Sequence, residues 1–187
     1  MSVSKIKEKK VFPTTVDGEY NFLSSEIKEK YMQVCRSCGT ERYIYTIDGK
    51  VVAFANLLNE NLLCGFMHYH IPGKYLNFFE SKFPVLAQKT NQLHYIYTES
   101  TMRCRGIATA LLQYILNDLH KAEFRFVWLK KETHSSFYYH LGFCSFLEAL
   151  NKLSLDFTSF QCEYENYISS MGNIVNRFGD ERLIKVL

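Results

Sequence analysis

The run from Arg103 to Ala108 stands between a strand-like segment and an amphipathic, helix-like one. Its backbone N–H groups would lie at a helix N-terminus, which attracts anions, with two arginines beside them. Phosphate oxygens approach a backbone closely only where side chains are small, as at Gly106 and Ala108. The run is therefore predicted to bind a pyrophosphate, although short glycine-containing loops also begin many ordinary helices.

The segments around this loop are predicted to be a strand, a helix and a second strand. Leu93 to Thr98 is rich in tyrosine and β-branched residues, which favours a strand. Gly106 to Leu119 carries apolar residues at helical spacing, and Phe124 to Leu129 has the pattern of a buried strand. A strand–helix–strand unit predicts a helix start near the strand ends, where open sheets bind ligands.

Upstream, residues 1–18 are predicted to form an extended or flexible arm, followed by a first helix from Glu19 to Cys35. Two β-prone runs, Arg42 to Ile47 and Val51 to Leu58, are joined by Asp48-Gly49-Lys50, a strong hairpin signal. Further elements in this region are predicted from weaker patterns. They are a third strand from Leu62 to His70 and a short helix at residues 74–80.

Downstream, Thr133 to Leu141 is predicted to be a short helix that ends at Gly142. Phe143 to Leu147 is then predicted to return as a strand. Beyond Leu150 the sequence shows no clear pattern, except that the apolar end, residues 183–187, could pair as an edge strand or meet a second subunit.

The segment from Phe137 to Phe143 has the sequence Phe-Tyr-Tyr-His-Leu-Gly-Phe. Together with the loop it resembles the GNAT superfamily of N-acetyltransferases. That family's loop has the form Gln/Arg-x-x-Gly-x-Gly/Ala, and its later helix often ends Phe-Tyr-x-x-x-Gly-Phe. Both patterns occur here in the family's order, and the resemblance covers about residues 41–147. Ser100 stands where the family commonly has a proline, and residues near Glu132 replace an asparagine that often begins the later helix.

The resemblance implies an α/β fold with a mixed, mostly antiparallel central sheet and one parallel pair of splayed strands. Acetyl-CoA, the acyl donor, would lie between these two strands. Ile96, Tyr97 and Thr98 would flank its pantetheine arm through main-chain bonds. The residues expected to cradle its pyrophosphate are Arg103, Cys104, Arg105, Gly106, Ile107, Ala108 and Thr109.

Three groups are expected to assist the chemistry of amine acetylation. Tyr138 matches the family tyrosine that commonly protonates the departing thiolate, and a phenol is a donor at neutral pH. A main-chain N–H near Tyr97 would stabilise the oxyanion. Glu99 or His94 could accept the amine proton, although each could equally be an ordinary polar residue, and members of the superfamily also work without a dedicated base.

The cysteines allow a weaker hypothesis of a metal site. Cys35-x-x-Cys38 resembles half of a zinc knuckle, which Cys64 with His68 or His70 could complete. The second half lacks the usual paired spacing, so the prediction is that no metal is bound. Cys104 and Cys144 make a covalent mechanism conceivable, but direct transfer is simpler.

The composition predicts one domain spanning residues 1–187, with a C-terminal extension from residue 151. No run approaches the ~20 apolar residues of a membrane span, and the six cysteines are scattered, so a cytoplasmic protein with reduced thiols is expected. A net charge of +3 does not favour nucleic acid. A monomer or a homodimer is expected.

The leading prediction is an enzyme, an N-acetyltransferase that moves the acetyl group of acetyl-CoA to a primary amine of a small molecule, peptide or protein. Two alternatives remain open. The first is a non-catalytic module that binds acyl-CoA and signals its level. The second is an acetyltransferase that acts on charged tRNA.

Overall fold

A computed structural model describes residues 2–6, 24–34, 40–58, 90–131, 135–152 and 182–187. Contacts divide the chain into two compact units, one of residues 1–59 and 91–123 and the other of residues 60–90 and 124–187. The elements are β1 (Ser2–Ile6), α1 (Ser25–Val34), β2 (Thr40–Ile47), β3 (Lys50–Leu58), β4 (Thr90–Thr98), a 3₁₀ helix (Ser100–Met102), α2 (Ile107–Lys121), β5 (Phe126–Lys130), α3 (Ser135–His140), β6 (Cys144–Ser145), α4 (Phe146–Lys152) and β7 (Arg182–Val186).

The strands of the first unit lie in the order β1-β2-β3-β4, with every neighbouring pair antiparallel. The hairpin predicted at Asp48-Gly49 is confirmed, because β2 and β3 are paired up to Ile47 and Lys50. Asp48 and Gly49 have φ of 51° and 78°, the two positive values that a type I′ turn needs.

Residues 2–6 at the start of the predicted arm are extended, which is one of the two alternatives predicted for it. Residues 2–6 form β1, which pairs along its whole length with β2, and the Ser2 hydroxyl lies 2.6 Å from the Thr46 hydroxyl. β1 is an edge strand and contains Lys5, and edge strands often carry lysine because its charge discourages pairing with another chain.

Two helices cover opposite faces of this four-stranded sheet. Tyr43 contacts α2, where its hydroxyl donates to Asp118 Oδ2 at 2.6 Å, while Phe54 packs with Ile27 of α1. Ile44 lies opposite Phe54 in the β2–β3 register, and side chains alternate between faces, so Tyr43 and Phe54 point to opposite sides. All seven residues of β3 from Val51 to Leu57 are buried, as expected for a strand covered on both faces.

The strands of the second unit lie in the order β5-β7-β6. β7 pairs antiparallel with β5 on one side and with β6 on the other. The apolar C-terminus is therefore an interior strand of this unit, and the predicted edge strand is wrong. Leu183 and Ile184 are each 1% exposed, and α4 packs against β7.

The structure corrects the strand predicted from Phe143 to Leu147. Only residues 144 and 145 are extended, and α4 begins at Phe146. Ser145 Oγ accepts the N–H of Glu148, while Glu148 Oε2 accepts the N–H of Ser145. This reciprocal pair is a capping box, which the Ser-x-x-Glu spacing signals in the sequence and which starts a helix.

Two of the remaining predicted elements are confirmed. They are the helix that follows the loop, which is α2, and the strand after it, which is β5, with bounds shifted by one or two residues. The first helix begins at Ser25, where the Ser24 hydroxyl accepts the N–H of Ile27. The strand at residues 62–70 and the helix at 74–80 lie outside the described residues. The predicted mixed α/β class with mostly antiparallel strands is confirmed.

Candidate functional site

The loop before α2 presents an open helix N-terminus. Gly106 has φ of 74° and precedes the first helical residue, and no side chain caps the helix there. The first helical hydrogen bond runs from Ala110 N to Gly106 O at 2.9 Å, so the N–H groups of residues 107–109 have no acceptor within the helix. An added Cβ at Gly106 would have no atom within 4 Å. This geometry fits a phosphate group, which needs both the N–H groups and the open space.

The two arginines of the loop have different surroundings. Arg103 folds back onto β4, with Nε donating to Thr98 O at 3.2 Å and Nη2 donating to the Tyr97 hydroxyl at 3.3 Å. Its guanidinium lies 5.4 Å from the centre of the Tyr97 ring. Arg105 is exposed and makes no such contact within the described part of the chain. Arg105 is therefore the arginine whose charge is available to an anion at the α2 N-terminus.

The end of β4 places alternate N–H groups on its two edges. Glu99 N donates to Val52 O of β3 at 2.9 Å. Because N–H directions repeat every second residue along a strand, the N–H groups of Ile96 and Thr98 are directed away from β3. Among residues 96–98, these two groups, rather than that of Tyr97, are the main-chain donors on the edge away from β3.

A β-bulge interrupts β4 near its middle. Asn56 lies opposite Tyr95 and Leu57 lies opposite Leu93, so His94 is an extra residue with no partner in the β3 register. Its side chain is exposed. Glu99 is five residues further along an extended chain, a separation of about 16 Å at ~3.3 Å per residue. The structure therefore does not bring the two candidate bases together.

A carboxylate that the sequence analysis missed contacts the end of β4. Glu26 of α1 accepts the Tyr97 hydroxyl at 2.5 Å and the Ser100 N–H at 3.1 Å through Oε1. Its Oε2 accepts the Ser100 hydroxyl at 2.9 Å. A proline at position 100, the residue common in the resembling family, would have no N–H to donate. No local spacing signals these contacts, because Glu26 lies 71 residues from Tyr97.

These hydrogen bonds shift the acidity of both partners. The hydrogen bond from Tyr97 and those from Ser100 stabilise the carboxylate and lower the pKa of Glu26 below its ordinary value of 4.5. The same carboxylate raises the pKa of Tyr97 above 10, because removing the phenolic proton would break the bond and place two negative charges together. Glu26 is thus an ionised acceptor and Tyr97 a protonated donor.

Tyr138 lies in the second unit, in the last turn before Gly142. Phe143 N donates to Tyr138 O at 3.1 Å and Gly142 N donates to Tyr139 O at 2.9 Å, the two bonds of a Schellman motif. Gly142 has φ of 80°, so the predicted glycine end of this helix is confirmed. The Tyr138 ring packs edge-on against Phe143, with the ring centroids 5.7 Å apart. The motif therefore fixes the backbone and the ring of Tyr138.

A family model described as the acetyltransferase (GNAT) family matches residues 12–143. The chain belongs to this family. The match includes the α2 loop and ends at Phe143, so it contains both sequence motifs on which the resemblance was based. A comparison with curated proteins finds no match.

Solved structures of GNAT proteins are similar at low identity. An acetyltransferase of the GNAT family from Desulfovibrio desulfuricans is 16% identical, with 64% of each chain covered and a TM-score of 0.41. The ribosomal-protein-S18-alanine N-acetyltransferase from Escherichia coli is 17% identical, with 63% of this chain and 61% of that chain covered and a TM-score of 0.41. This GNAT chain thus spans less than two thirds of either structure. A family member from Elizabethkingia anophelis with acetyl-CoA bound is 12% identical, with 76% of each chain covered and a TM-score of 0.41.

Other polar groups of this GNAT chain are buried near the bulge and the end of β4. The side chains of Asn56 and Asn91 are 0% exposed, and neither amide has a hydrogen-bond partner among the described residues. Thr98 Oγ1 is also buried without a hydrogen-bond partner among the described residues.

The cysteines and histidines of the zinc hypothesis, at positions 35, 38, 64, 68 and 70, lie outside the described residues. In the described part, no helix is long and apolar enough to span a membrane.

Proposed function

We propose that this GNAT chain transfers the acetyl group of acetyl-CoA to a primary amine. The observation that carries the proposal is the open N-terminus of α2, where Gly106 leaves room for a phosphate beside three N–H groups without helical acceptors. The residues that would hold the pyrophosphate are Arg103, Cys104, Arg105, Gly106, Ile107, Ala108 and Thr109. Within this set, Arg105 would contribute a positive charge that attracts the phosphates, and Gly106 would leave room for a phosphate to approach the backbone.

The pantetheine arm would lie along β4. The outward N–H groups of Ile96 and Thr98 support main-chain bonds to its amides, and one of them is proposed as the donor to the oxyanion that forms on the thioester carbonyl. Tyr97 would flank the pantetheine arm, and its hydroxyl would not bind the arm because it is already bonded to Glu26. Acetyl-CoA itself supplies an activated acyl group on a good leaving thiolate.

The transfer requires a balanced movement of protons. The neutral amine attacks the thioester carbonyl carbon, a C–N bond forms, and the C–S bond breaks as the thiolate leaves. Tyr138 is proposed to give its phenolic proton to that thiolate, which has a pKa of about 8.5 as a free thiol. The proton that the nitrogen loses after the attack would pass to Glu99, to His94 or to water, and Tyr138 would then regain a proton from solvent. A dedicated base is not required if the amine binds in its neutral form.

The first test is heat denaturation with and without acetyl-CoA. Free ligand at ~100 times its Kd adds about 2.7 kcal/mol to the stability of the folded state, which raises the Tm by several degrees. Pantetheine, which lacks the pyrophosphate, is the matched control and should raise the Tm less. An unchanged Tm in a well-folded sample at millimolar acetyl-CoA would contradict the proposal.

The second test separates catalysis from binding alone. Release of the CoA thiol is followed with a panel of primary amines, a peptide with a free N-terminus and an aminoacyl-tRNA. Amine-dependent release supports the proposed enzyme. If acetyl-CoA binds but no acceptor causes release of the CoA thiol, the chain would be a sensor of acyl-CoA. If only aminoacyl-tRNA causes release of the thiol, the chain would be an acetyltransferase that acts on charged tRNA.

Two further features belong to the same proposal. Scattered cysteines without a disulfide pattern support a cytoplasmic location, which cell fractionation would test. The chain would act as a monomer or a homodimer, a choice that light scattering on the purified protein decides.

A further inference from the structure

Glu26 connects α1 to two points on the segment that leads from β4 to the α2 loop. Its carboxylate accepts from the Tyr97 side chain and from the backbone and side chain of Ser100. An ionised carboxylate offers about four lone-pair positions, so three donors occupy most of them. Hydrogen bonds to an ionised acceptor are about twice as strong as neutral ones. The contact therefore restrains the end of β4 and the 3₁₀ turn together.

The connection continues through Arg103 to the main chain of β4. The Tyr97 hydroxyl donates to Glu26 and accepts from Arg103, and Arg103 Nε donates to Thr98 O. A carboxylate, a hydroxyl and a guanidinium in series polarise one another, which strengthens each bond. Loss of Glu26 would therefore also weaken the hydrogen bond between Arg103 and the Tyr97 hydroxyl.

The chemistry of this carboxylate does not suit proton transfer. An efficient general base has a pKa near the working pH, whereas the donors around Glu26 hold its pKa below 4.5. Its lone pairs are also engaged by Tyr97 and Ser100. Glu26 is therefore suited to hold other groups in place.

We propose that Glu26 is a positioning residue of the donor site, which anchors the end of β4 and the following turn to α1 so that they are ordered before acetyl-CoA binds. Pre-ordering increases affinity because less conformational entropy is lost on binding. The inference rests on the proposed function, because it assumes that the Ile96 and Thr98 N–H groups and the α2 N-terminus bind CoA.

The test compares CoA binding by six proteins: the wild type, the Glu26→Ala, Tyr97→Phe, Ser100→Ala and Glu29→Gln variants, and the double variant Glu26→Ala/Ser100→Ala. The Kd for CoA is measured by calorimetry at a temperature where circular dichroism shows each protein to be fully folded. Glu29 is an exposed residue on the same helix, so Glu29→Gln reproduces the loss of one negative charge on α1. Tyr97→Phe removes one hydroxyl only and covers the case in which Glu26→Ala fails to fold.

The expected result is a Kd for CoA raised about tenfold in Glu26→Ala, in keeping with the loss of charged hydrogen bonds. Tyr97→Phe and Ser100→Ala should each raise it severalfold, and Glu29→Gln should leave it unchanged. The double variant Glu26→Ala/Ser100→Ala should bind no more weakly than Glu26→Ala, because the contact of the Ser100 hydroxyl is already lost with Glu26. A residue that only stabilises the fold would lower the Tm and leave the Kd of the folded protein unaltered.

Two results would overturn the inference, and each is distinct from failure of the proposed function. An unchanged Kd in a folded Glu26→Ala variant would show that the contact does not order the site. With an amine substrate in hand, a fall in kcat at constant KM for acetyl-CoA would assign Glu26 to the chemical step instead. If the wild type itself does not bind CoA, it is the proposed function that fails.

Discussion

Phe143 and Tyr138 are joined twice: the N–H of Phe143 donates to the carbonyl of Tyr138, and the two rings pack edge to face. The Schellman motif places residues C″ and C3 together in this way, and an apolar contact commonly accompanies it. The Tyr-x-x-x-Gly-Phe pattern therefore has a structural cause. Its glycine ends the helix, and its phenylalanine holds the tyrosine ring.

Tyr138→Phe separates the proposed chemistry from this packing. The substitution keeps the ring, so the free energy of unfolding should change by less than about 1 kcal/mol, whereas acetyl transfer should fall by about 10²-fold or more as the acid is lost. Phe143→Ala is the contrasting variant and should destabilise the fold by about 3 kcal/mol. Urea unfolding and thiol release measure the two effects. Full activity in Tyr138→Phe would exclude the tyrosine as the acid.

The arginines of the loop are predicted to respond differently to substitution. Arg105→Ala should weaken binding of CoA and leave binding of pantetheine unchanged, because its exposed charge would act on the phosphates alone. Arg103→Ala should weaken binding of both ligands, because Arg103 contacts Tyr97 and the Thr98 carbonyl. Calorimetric titration with each ligand provides the measurement. Equal losses for both ligands in Arg105→Ala would count against the phosphate site.

Gly106→Ala tests whether the space at the α2 N-terminus is used. The φ of 74° suits glycine, so alanine should cost about 1 kcal/mol of folding free energy, without a steric clash in the free protein. A phosphate bound against the backbone would meet the new methyl group, so the Kd for CoA should rise by more than tenfold, a change above about 1.4 kcal/mol. Gly49→Ala, at a hairpin turn with φ of 78°, is the matched control for strain. A small change in Kd would place the pyrophosphate elsewhere.

The Glu26 contact should make stability depend on acid pH. Because the folded-state pKa lies below 4.5, chiefly through the Tyr97 hydroxyl, folding releases a proton from this group in acid. Its stabilisation is complete above about pH 4.5 and is lost as the pH falls through the lower, folded value. The difference in stability between the wild type and Glu26→Gln should therefore shrink from about pH 6 to pH 3. A constant difference over that range would contradict the assignment.

Asn56→Leu is expected to leave the fold as stable as the wild type, or to make it more stable. The amide is fully buried without a partner in the described residues, and an apolar side chain of similar size avoids that cost, which is about 1–3 kcal/mol. Asn56→Ala is the control, because it removes the amide but also leaves a cavity and should be less stable than Asn56→Leu. Urea unfolding compares the three proteins. Strong destabilisation by leucine would indicate a polar partner for this amide.

The sequence by itself determined the elements whose cause is local. Asp48-Gly49 favours a type I′ hairpin, apolar residues at helical spacing define α2, and Gly142 ends α3, because each depends on residues close together in the chain. Ser145-x-x-Glu148 has an equally local cause, because the capping box that starts α4 joins two residues three positions apart. The two family motifs also lie within short stretches of chain, which is why the family could be recognised.

Only the tertiary structure decided the contacts between distant segments. The last residues became an interior strand because β5 and β6 supply partners on both sides, and no local pattern specifies those partners. The extra residue at His94 appears only when β4 is aligned with β3. Glu26 meets Tyr97 across 71 residues, because packing of α1 on the sheet brings the two side chains together. Hydrogen bonding between such segments depends on the fold as a whole, and spacing along the chain carries no record of it.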